Sequence, residues 1–251
     1  MIVGNWIRLG VLILINALAL GLVIGGCVFP GIALHVACVV WLLLGTLNPR
    51  SKWFGAIQTR TGNKKIWLTF DDGPDVGATP QVLALLQERG VRATFFVVGE
   101  KARKHPELVR RMQAGGHQIG NHTWSHPQGT FWCAGPWRTY REIVRCQEEV
   151  EDILGVAPEV FRAPVGHHNV FVHAVLRRFG LKLIGWSSRG FDGVSHDADE
   201  VIGRIKKSMG PGGIVLVHDD SDIALDVATA VIDHAEANGW SFIDPGQPSG
   251  R

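Results

Sequence analysis

The 251-residue sequence predicts an α/β domain built on a mostly parallel sheet, preceded by a membrane segment of two apolar helices. Three observations carry that expectation. The chain opens on a long apolar stretch without a single acidic residue; after Lys65, short β-rich runs alternate with amphipathic stretches; and polar residues gather where nearly every expected strand ends. With 25 Lys+Arg against 23 Asp+Glu, 46% hydrophobic and 19% charged residues, the chain is neither a disordered polyelectrolyte nor a collagen-like polymer. The near-neutral balance of +2 gives no ground for a nucleic-acid partner. That average hides a division: residues 1–70 hold six basic residues (Arg8, Arg50, Lys52, Arg60, Lys64, Lys65) and no acid. Taking those six from the 25 leaves 19 against 23, a net −4, for the remainder.

From Ile2 to Leu47 the one charged side chain is Arg8. Two apolar runs, about 6–29 and 31–47, are separated by Pro30-Gly31, and a spanning helix needs about 20 apolar residues. Residues 1–48 are therefore expected to form a transmembrane hairpin integral to the cell (inner) membrane. An uncleaved signal peptide is the alternative, although such signals carry an apolar core of only about 7–15 residues. Ile24-Gly25-Gly26-Cys27 resembles a lipoprotein cleavage site, but a second apolar run follows directly where a polar tether belongs. Basic residues at 50, 52, 60, 64 and 65 lean the domain toward the cytoplasmic face if both runs span. Residues 49–63 read as a linker, 64–245 as the globular domain and 246–251 as a tail. The four cysteines are expected as free thiols, since no Cys-x-x-Cys is present and the spacing of Cys133 and Cys146 demands no pairing.

Along the domain, Ile66–Phe70 reads as a buried strand, and Thr79-Pro80 as an N-cap with Pro at the first helical position of a helix closed by Gly90. Strands are expected at Thr94–Val98, Gln118–Gly120, Val160–Phe161, Leu181–Trp186, Gly213–Val217 and Trp240–Ile243. Helices are expected at Pro106–Ala114, Trp137–Leu154, Val170–Phe179, Asp199–Met209 and Ile223–Ala237. Periodicity alone does not choose between a barrel and an open doubly wound sheet, but active residues gather at the carboxyl ends of the strands in both.

Those ends are rich in chemistry: Thr69-Phe70-Asp71-Asp72-Gly73-Pro74, then Asn121-His122-Thr123-Trp124-Ser125-His126, then Arg162-Ala163-Pro164-Val165-Gly166, then Asp192, then His218-Asp219-Asp220. Singly each has a plain reading, Asp-Asp-Gly-Pro as a turn and a His-x-x-x-His as chance among 11 His. Jointly they supply metal-assisted hydrolysis. Two His at i and i+4 can share one face of a helical turn, and a carboxylate completes a three-ligand set with room for water. Such a set favours a divalent ion, zinc first, with cobalt, nickel or iron not excluded. The second carboxylate of an adjacent pair diverges from the first in extended chain and is free to act as a base.

These segments, with Ile214–His218, resemble the first, second, third and fifth motifs of the NodB-homology polysaccharide deacetylases, carbohydrate esterase family four, in the family's order and across about 64–245. The resemblance implies a distorted (β/α) barrel, a divalent metal and removal of an N-acetyl group, less often O-acetyl or N-formyl, from a sugar. By motif position it implies Asp72, His122 and His126 as metal ligands, and Asp71 as general base toward the attacking water, oriented and kept ionised by Arg162. His218 becomes the acid for the leaving amine with Asp192 as its counter-charge, and Pro164-Val165 carry the backbone donor for the oxyanion.

The chain also departs from the family pattern. Val165 and Gly193 stand where aromatic residues are usual, Arg189 occupies a place often acidic, and His167-His168 reads as a polar loop or an extra contact. Phe131-Trp132-Cys133 with Trp137 form an aromatic loop that caps the groove, touches a membrane or packs in the core. These departures turn the expected substrate from bulk polymer toward a cell-envelope or lipid-linked saccharide. An esterase or deformylase on the same scaffold and a non-catalytic glycan binder are the alternatives. No Gly-x-Ser-x-Gly elbow, Gly-x-Gly-x-x-Gly or P-loop suggests a serine nucleophile or a nucleotide.

Overall fold

A computed structural model describes residues 2–246 of the chain. Two apolar helices come first, α1 (Ile2–Ile24) and α2 (Val28–Leu47). The break between them falls at Gly25-Gly26-Cys27 and not at Pro30-Gly31. Gly26 takes φ +87°, which glycine adopts without a Cβ penalty, and Pro30 lies in the first turn of α2, where its missing N–H leaves no helical bond unmade. The two helices approach closely: a Cβ on Gly31 would come within 2.6 Å of Ala19 O and Val23 Cγ2, and His35 Nδ1 lies 2.8 Å from Asn16 Oδ1. Among the described residues, Val28–Leu47 is long and apolar enough to cross a membrane, whereas Gly10–Ile24 is apolar but shorter. Residues 49–63, expected as a linker, lie along the domain, with Ser51, Phe54 and Ile57 buried and Gln58 and Arg60 bridged to Ile184 and Gly213. Apart from Gly246, the expected tail lies outside the described residues.

The domain runs β1 (Trp67–Asp71), α3 (Ala78–Glu88), β2 (Thr94–Val97), α4 (Gly99–Lys104), α5 (Pro106–Ala114), β3 (Gln118–Asn121), α6 (Pro136–Leu154), β4 (Val160–Phe161), α7 (Val170–Phe179), β5 (Lys182–Leu183), β6 (Ser188–Arg189), α8 (Ala198–Ser208), β7 (Ile214–His218) and α9 (Ala224–Ala237). The strands form one sheet in the order β5-β4-β3-β2-β1-β7-β6, every pairing parallel. Neither β5 nor β6 closes on the other, so the expected barrel is an open, curled half-barrel. Both faces of its central strands are covered, and β1 is buried at every position from Trp67 to Asp71. Leu68 and Phe70 face α3 and α9 together with Val215, Val217, Val82 and Val227, while Trp67, Phe96, Trp186, Ile214 and Leu216 fill the inside of the curl. Each such side chain, fully buried, contributes about 1.5–3 kcal/mol of apolar transfer.

Four local expectations are corrected. Helix α4 and strand β6 were not anticipated: α4 is one and a half turns of charged sequence, and β6 is two residues long. Trp240–Ile243 contributes a single bridge, Ile66↔Phe242, and no strand. Thr79 does not cap α3. Asp75 Oδ1 instead accepts from the N–H groups of Gly77 and Ala78, because the Thr79 hydroxyl is buried and donates to Asp219 Oδ2 at 2.6 Å. Cys27, Cys38, Cys133 and Cys146 are all free.

Candidate active site

Parallel register assembles the site at the carboxyl edge of the sheet. Asp71 pairs with His218 across β1 and β7, and Asn121 with Phe161 across β3 and β4, so His122 and Arg162 leave the sheet side by side. Among the described residues, five non-glycine positions have φ between 49° and 71°: Asp72, Thr123, His126, Val165 and Phe191. All five follow strands at this one edge. A left-handed L-residue costs about 1–2 kcal/mol, and such strain collects where geometry serves a site.

Asp72 Oδ1 lies 3.2 Å from His122 Nε2 and 3.0 Å from His126 Nε2. Although buried, that oxygen has no hydrogen-bond partner, so the two nitrogens approach it without aiming a proton at it. Ligand atoms of the three residues all lie within 4.8 Å of one another. Two imidazole nitrogens and one carboxylate oxygen converging on a common point fit a divalent cation. His122 Nδ1 is 2.8 Å from Arg162 O; that carbonyl can only accept, so Nδ1 carries a proton and Nε2 is the nitrogen presented to the triad. Burial holds His126 neutral, at about 3, reinforced by His122. Burial alone would raise Asp72, but His122, His126 and His218 hold it well below the usual carboxylate range. The i, i+4 spacing does not act through a helical turn, as expected from sequence. Residues 122–126 are a loop, and left-handed Thr123 and His126 bend it so that both rings meet, with centroids 4.7 Å apart. Asn121 Oδ1 accepts from Thr123 N–H at 2.9 Å, and Glu142 accepts from the N–H and hydroxyl of Ser125, bracing that loop.

On one side of the triad, Asp71 is 3% exposed and its Oδ1 accepts from Arg162 Nη1 at 2.7 Å. Arg162 is completely buried. It also donates to Thr69 Oγ1, Gly185 O and Ile184 O, and its guanidinium lies 4.2 Å from the Phe96 ring centroid. That leaves Asp71 Oδ2, 3.7 Å from His122 Nε2, turned toward the triad. On the other side His218 Nε2 stands 3.9 Å from Asp72 Oδ2, while its Nδ1 lies 3.1 Å from Asp192 Oδ1. Burial opposes the charge on His218, but Asp192, helped by Asp71 and Asp72, outweighs it and raises the imidazole to about 9. Asp192 Oδ2 accepts from the backbone N–H of His218 at 2.6 Å. Val165 sits at the crest of the Pro164–Gly166 turn, 44% exposed.

Sequence reasoning gave no role to Asp219. Its carboxyl is buried and pushed up to about 7 by that burial, accepts from Thr79, and packs so tightly under Gly73 that a Cβ there would come within 2.3 Å of both oxygens. The adjacency to His218 was the available signal. His168, expected in a polar loop, is instead fully buried against His173. The aromatic segment divides: Phe131 is core, Trp132 faces the N-terminal helices across a groove, and Trp137 is 80% exposed.

A family model described as polysaccharide deacetylase matches residues 58–184. The chain is 35% identical over 181 residues to a peptidoglycan-N-acetylglucosamine deacetylase of Listeria monocytogenes, covering 72% of this chain and 38% of that protein. It is 36% identical over 160 residues to a chitooligosaccharide deacetylase of Bradyrhizobium sp. (strain ANU 289), covering 63% of this chain and 72% of that one. The chain thus spans well under half of the Listeria protein's length. Among solved structures, the peptidoglycan deacetylase PdaC from Bacillus subtilis superposes with a TM-score of 0.66 at 30% identity, over 72% of this chain and 88% of that one.

Proposed function

Because the chain belongs to the polysaccharide deacetylase family, we propose that it is a metal-dependent hydrolase that removes an N-acetyl group from a cell-envelope or lipid-linked saccharide. The observation that carries this reading is the convergence of Asp72, His122 and His126, flanked by an Arg-held carboxylate and a carboxylate-held imidazolium. When bound by those three residues, a divalent cation, zinc by donor preference, supplies a Lewis acid for water and acyl carbonyl.

The chain's own groups do the rest. Asp71 Oδ2, the oxygen that Arg162 leaves free, takes a proton from the attacking water. The Val165 backbone N–H, presented by the strained turn, donates to the developing oxyanion. His218, kept protonated by Asp192, delivers its Nε2 proton to the departing amine. The domain, residues 64–245, works beside a membrane segment formed by α1 and α2. The basic residues after α2 favour the cytoplasmic face. The test is product release by the full chain in detergent: amine and acetate from N-acetylglucosamine oligomers, beside acetate from O-acetylated and formate from N-formylated sugars. Turnover confined to the last two, or insensitive to chelators, overturns the reading.

A further inference from the structure

Two positions where this chain departs from its family pattern, His167 and Arg189, lie near Arg50. Arg50, two residues past the C-cap of α2, donates from Nη2 to Ser187 O at 3.2 Å. On β6 the Ser188 hydroxyl turns out toward α8, bonding Ile205 O, so Arg189 turns to the inner side of the curl, beside Leu216 and two residues below His218. Its guanidinium carbon lies 3.9 Å from the Phe191 ring centroid and 5.2 Å from that of Trp186. His167 follows Gly166, whose α-carbon is wedged between the Trp186 ring and Pro49. Arg189 thus lies against the Trp186 indole, Arg50 bonds the carbonyl of the next residue, and His167 follows the glycine on which that indole packs. The same indole lies 5.9 Å from the guanidinium of Arg162, which grips Asp71.

No carboxylate forms an ion pair with Arg50, Arg189 or His167 among the described residues, although Arg89 has two such partners and Arg92, Arg103 and Arg204 have one each. Burial and the charge of Arg50 work against the charge of Arg189, and burial and Arg189 in turn lower His167. Such a cluster is costly alone and relieved by an anion. An apolar groove of about 580 Å³ adjoins it, walled by Leu12 and Leu43 of the helices and by Trp132 and Phe171 of the domain. The two features share a seam: Thr46, in the groove wall, accepts from the N–H of His168, the neighbour of His167.

We propose that Arg50, His167 and Arg189 form an oxyanion subsite at the rim of the cleft, and that it takes the phosphate joining a saccharide to a long hydrocarbon chain seated in the adjoining groove. This inference rests on the deacetylase reading and names its substrate class. A neutral glycan has no use for two unpaired arginines, whereas a sugar phosphate tied to a hydrocarbon uses the basic cluster and the apolar groove together.

The test uses the full chain in detergent with a fluorescent N-acetylglucosaminyl phosphodecane and its neutral decyl glycoside, read by polarisation for binding and by amine release for kcat/KM. The phosphate compound is expected to be preferred, and Arg50→Gln and Arg189→Gln are each expected to cut that preference about tenfold or more, with Arg189→Lys recovering part of it. Thermal unfolding identifies any variant that has merely lost its fold, and the Lys variant then carries the comparison. Equal use of the two glycosides by the wild type overturns the proposal. So does arginine-dependent binding to phosphatidylglycerol vesicles without any preference between the glycosides, which makes the anion a bilayer headgroup. Arginine-dependent binding of the phosphate compound with no turnover of either glycoside upholds the subsite and removes the deacetylase reading instead.

Discussion

Acidification is expected to loosen the joint between α2 and the domain through His168 and His173. The two rings are buried and T-shaped, with centroids 4.9 Å apart and His173 Nε2 3.1 Å from His168 Nδ1, an arrangement in which one nitrogen must accept. His168 Nε2 has no hydrogen-bond partner. Burial, then His167, lowers His168 from 6.5 to about 4; burial, then His168 and Arg177, lowers His173 to about 3. Both values lie below that of the unfolded chain, so the unfolded state binds more protons as the pH drops. Stability is therefore complete above about 6.5 and declines as pH falls toward 4. One pH unit below 6.5, each imidazole held neutral costs about 1.4 kcal/mol, or about 3 kcal/mol for the pair at pH 5.5. At about 2–4 °C per kcal/mol for a domain of this size, the pair's share of the fall in melting temperature is roughly 6–12 °C between pH 7.5 and 5.5. The assay is thermal unfolding in detergent across that range, wild type against His173→Gln. Glutamine keeps a partner for His168 but does not titrate, so its slope below pH 6.5 is expected to be shallower by about 1.4 kcal/mol per unit. His117, also buried and lowered to about 4, and His126, lowered to about 3, contribute to both proteins and cancel. Indistinguishable slopes would refute the reasoning.

Three further outcomes are expected. Asp71→Asn and His218→Ala each lower turnover by about a hundredfold or more while bound metal, measured by elemental analysis, stays near wild type; His126→Ala loses the metal itself. Arg162→Met leaves Asp71 buried without its cation and is expected to cost about 3–5 kcal/mol in urea unfolding, a loss that a surface control such as Arg103→Met does not reproduce. Gly73→Ala drives a methyl into Asp219, costing about 1–3 kcal/mol. Adding Asp219→Ala recovers part of that loss, and strict additivity of the two changes would show that the contact is not felt.

The motif residues were legible because strand ends in a parallel sheet share one edge, so Asp71, His122, Arg162 and His218 could be gathered without knowing whether the sheet closed. How they converge was not legible. The spacing of His122 and His126 suggested a helical turn, but the loop bends through left-handed Thr123 and His126, and no propensity marks a threonine for that conformation. Thr79 reads as a cap on composition alone; its burial against Asp219, 140 residues away, reassigns the hydroxyl. Strand β6, Ser188-Arg189, has no apolar run to mark it and owes its existence to neighbours already in place. Sequence separated the membrane segment from the domain by a linker. What it could not convey is that this stretch is pinned down by Phe54, Ile57 and two bridges.

The seam where Thr46 meets His168 and Pro49 meets Gly166 leaves the cleft without slack. An enzyme on a leash sweeps a volume that grows with the leash, and a bulky mesh comes within its compass. Here the last turn of α2 is stitched to the very turn that carries Val165, so tilting the helix tilts the cleft. On the proposed membrane placement, chemistry is confined to a thin stratum. Splicing a flexible insert after Asn48 would widen the reach, but it would also unseat Pro49 from Gly166 and blunt the turn that chemistry needs.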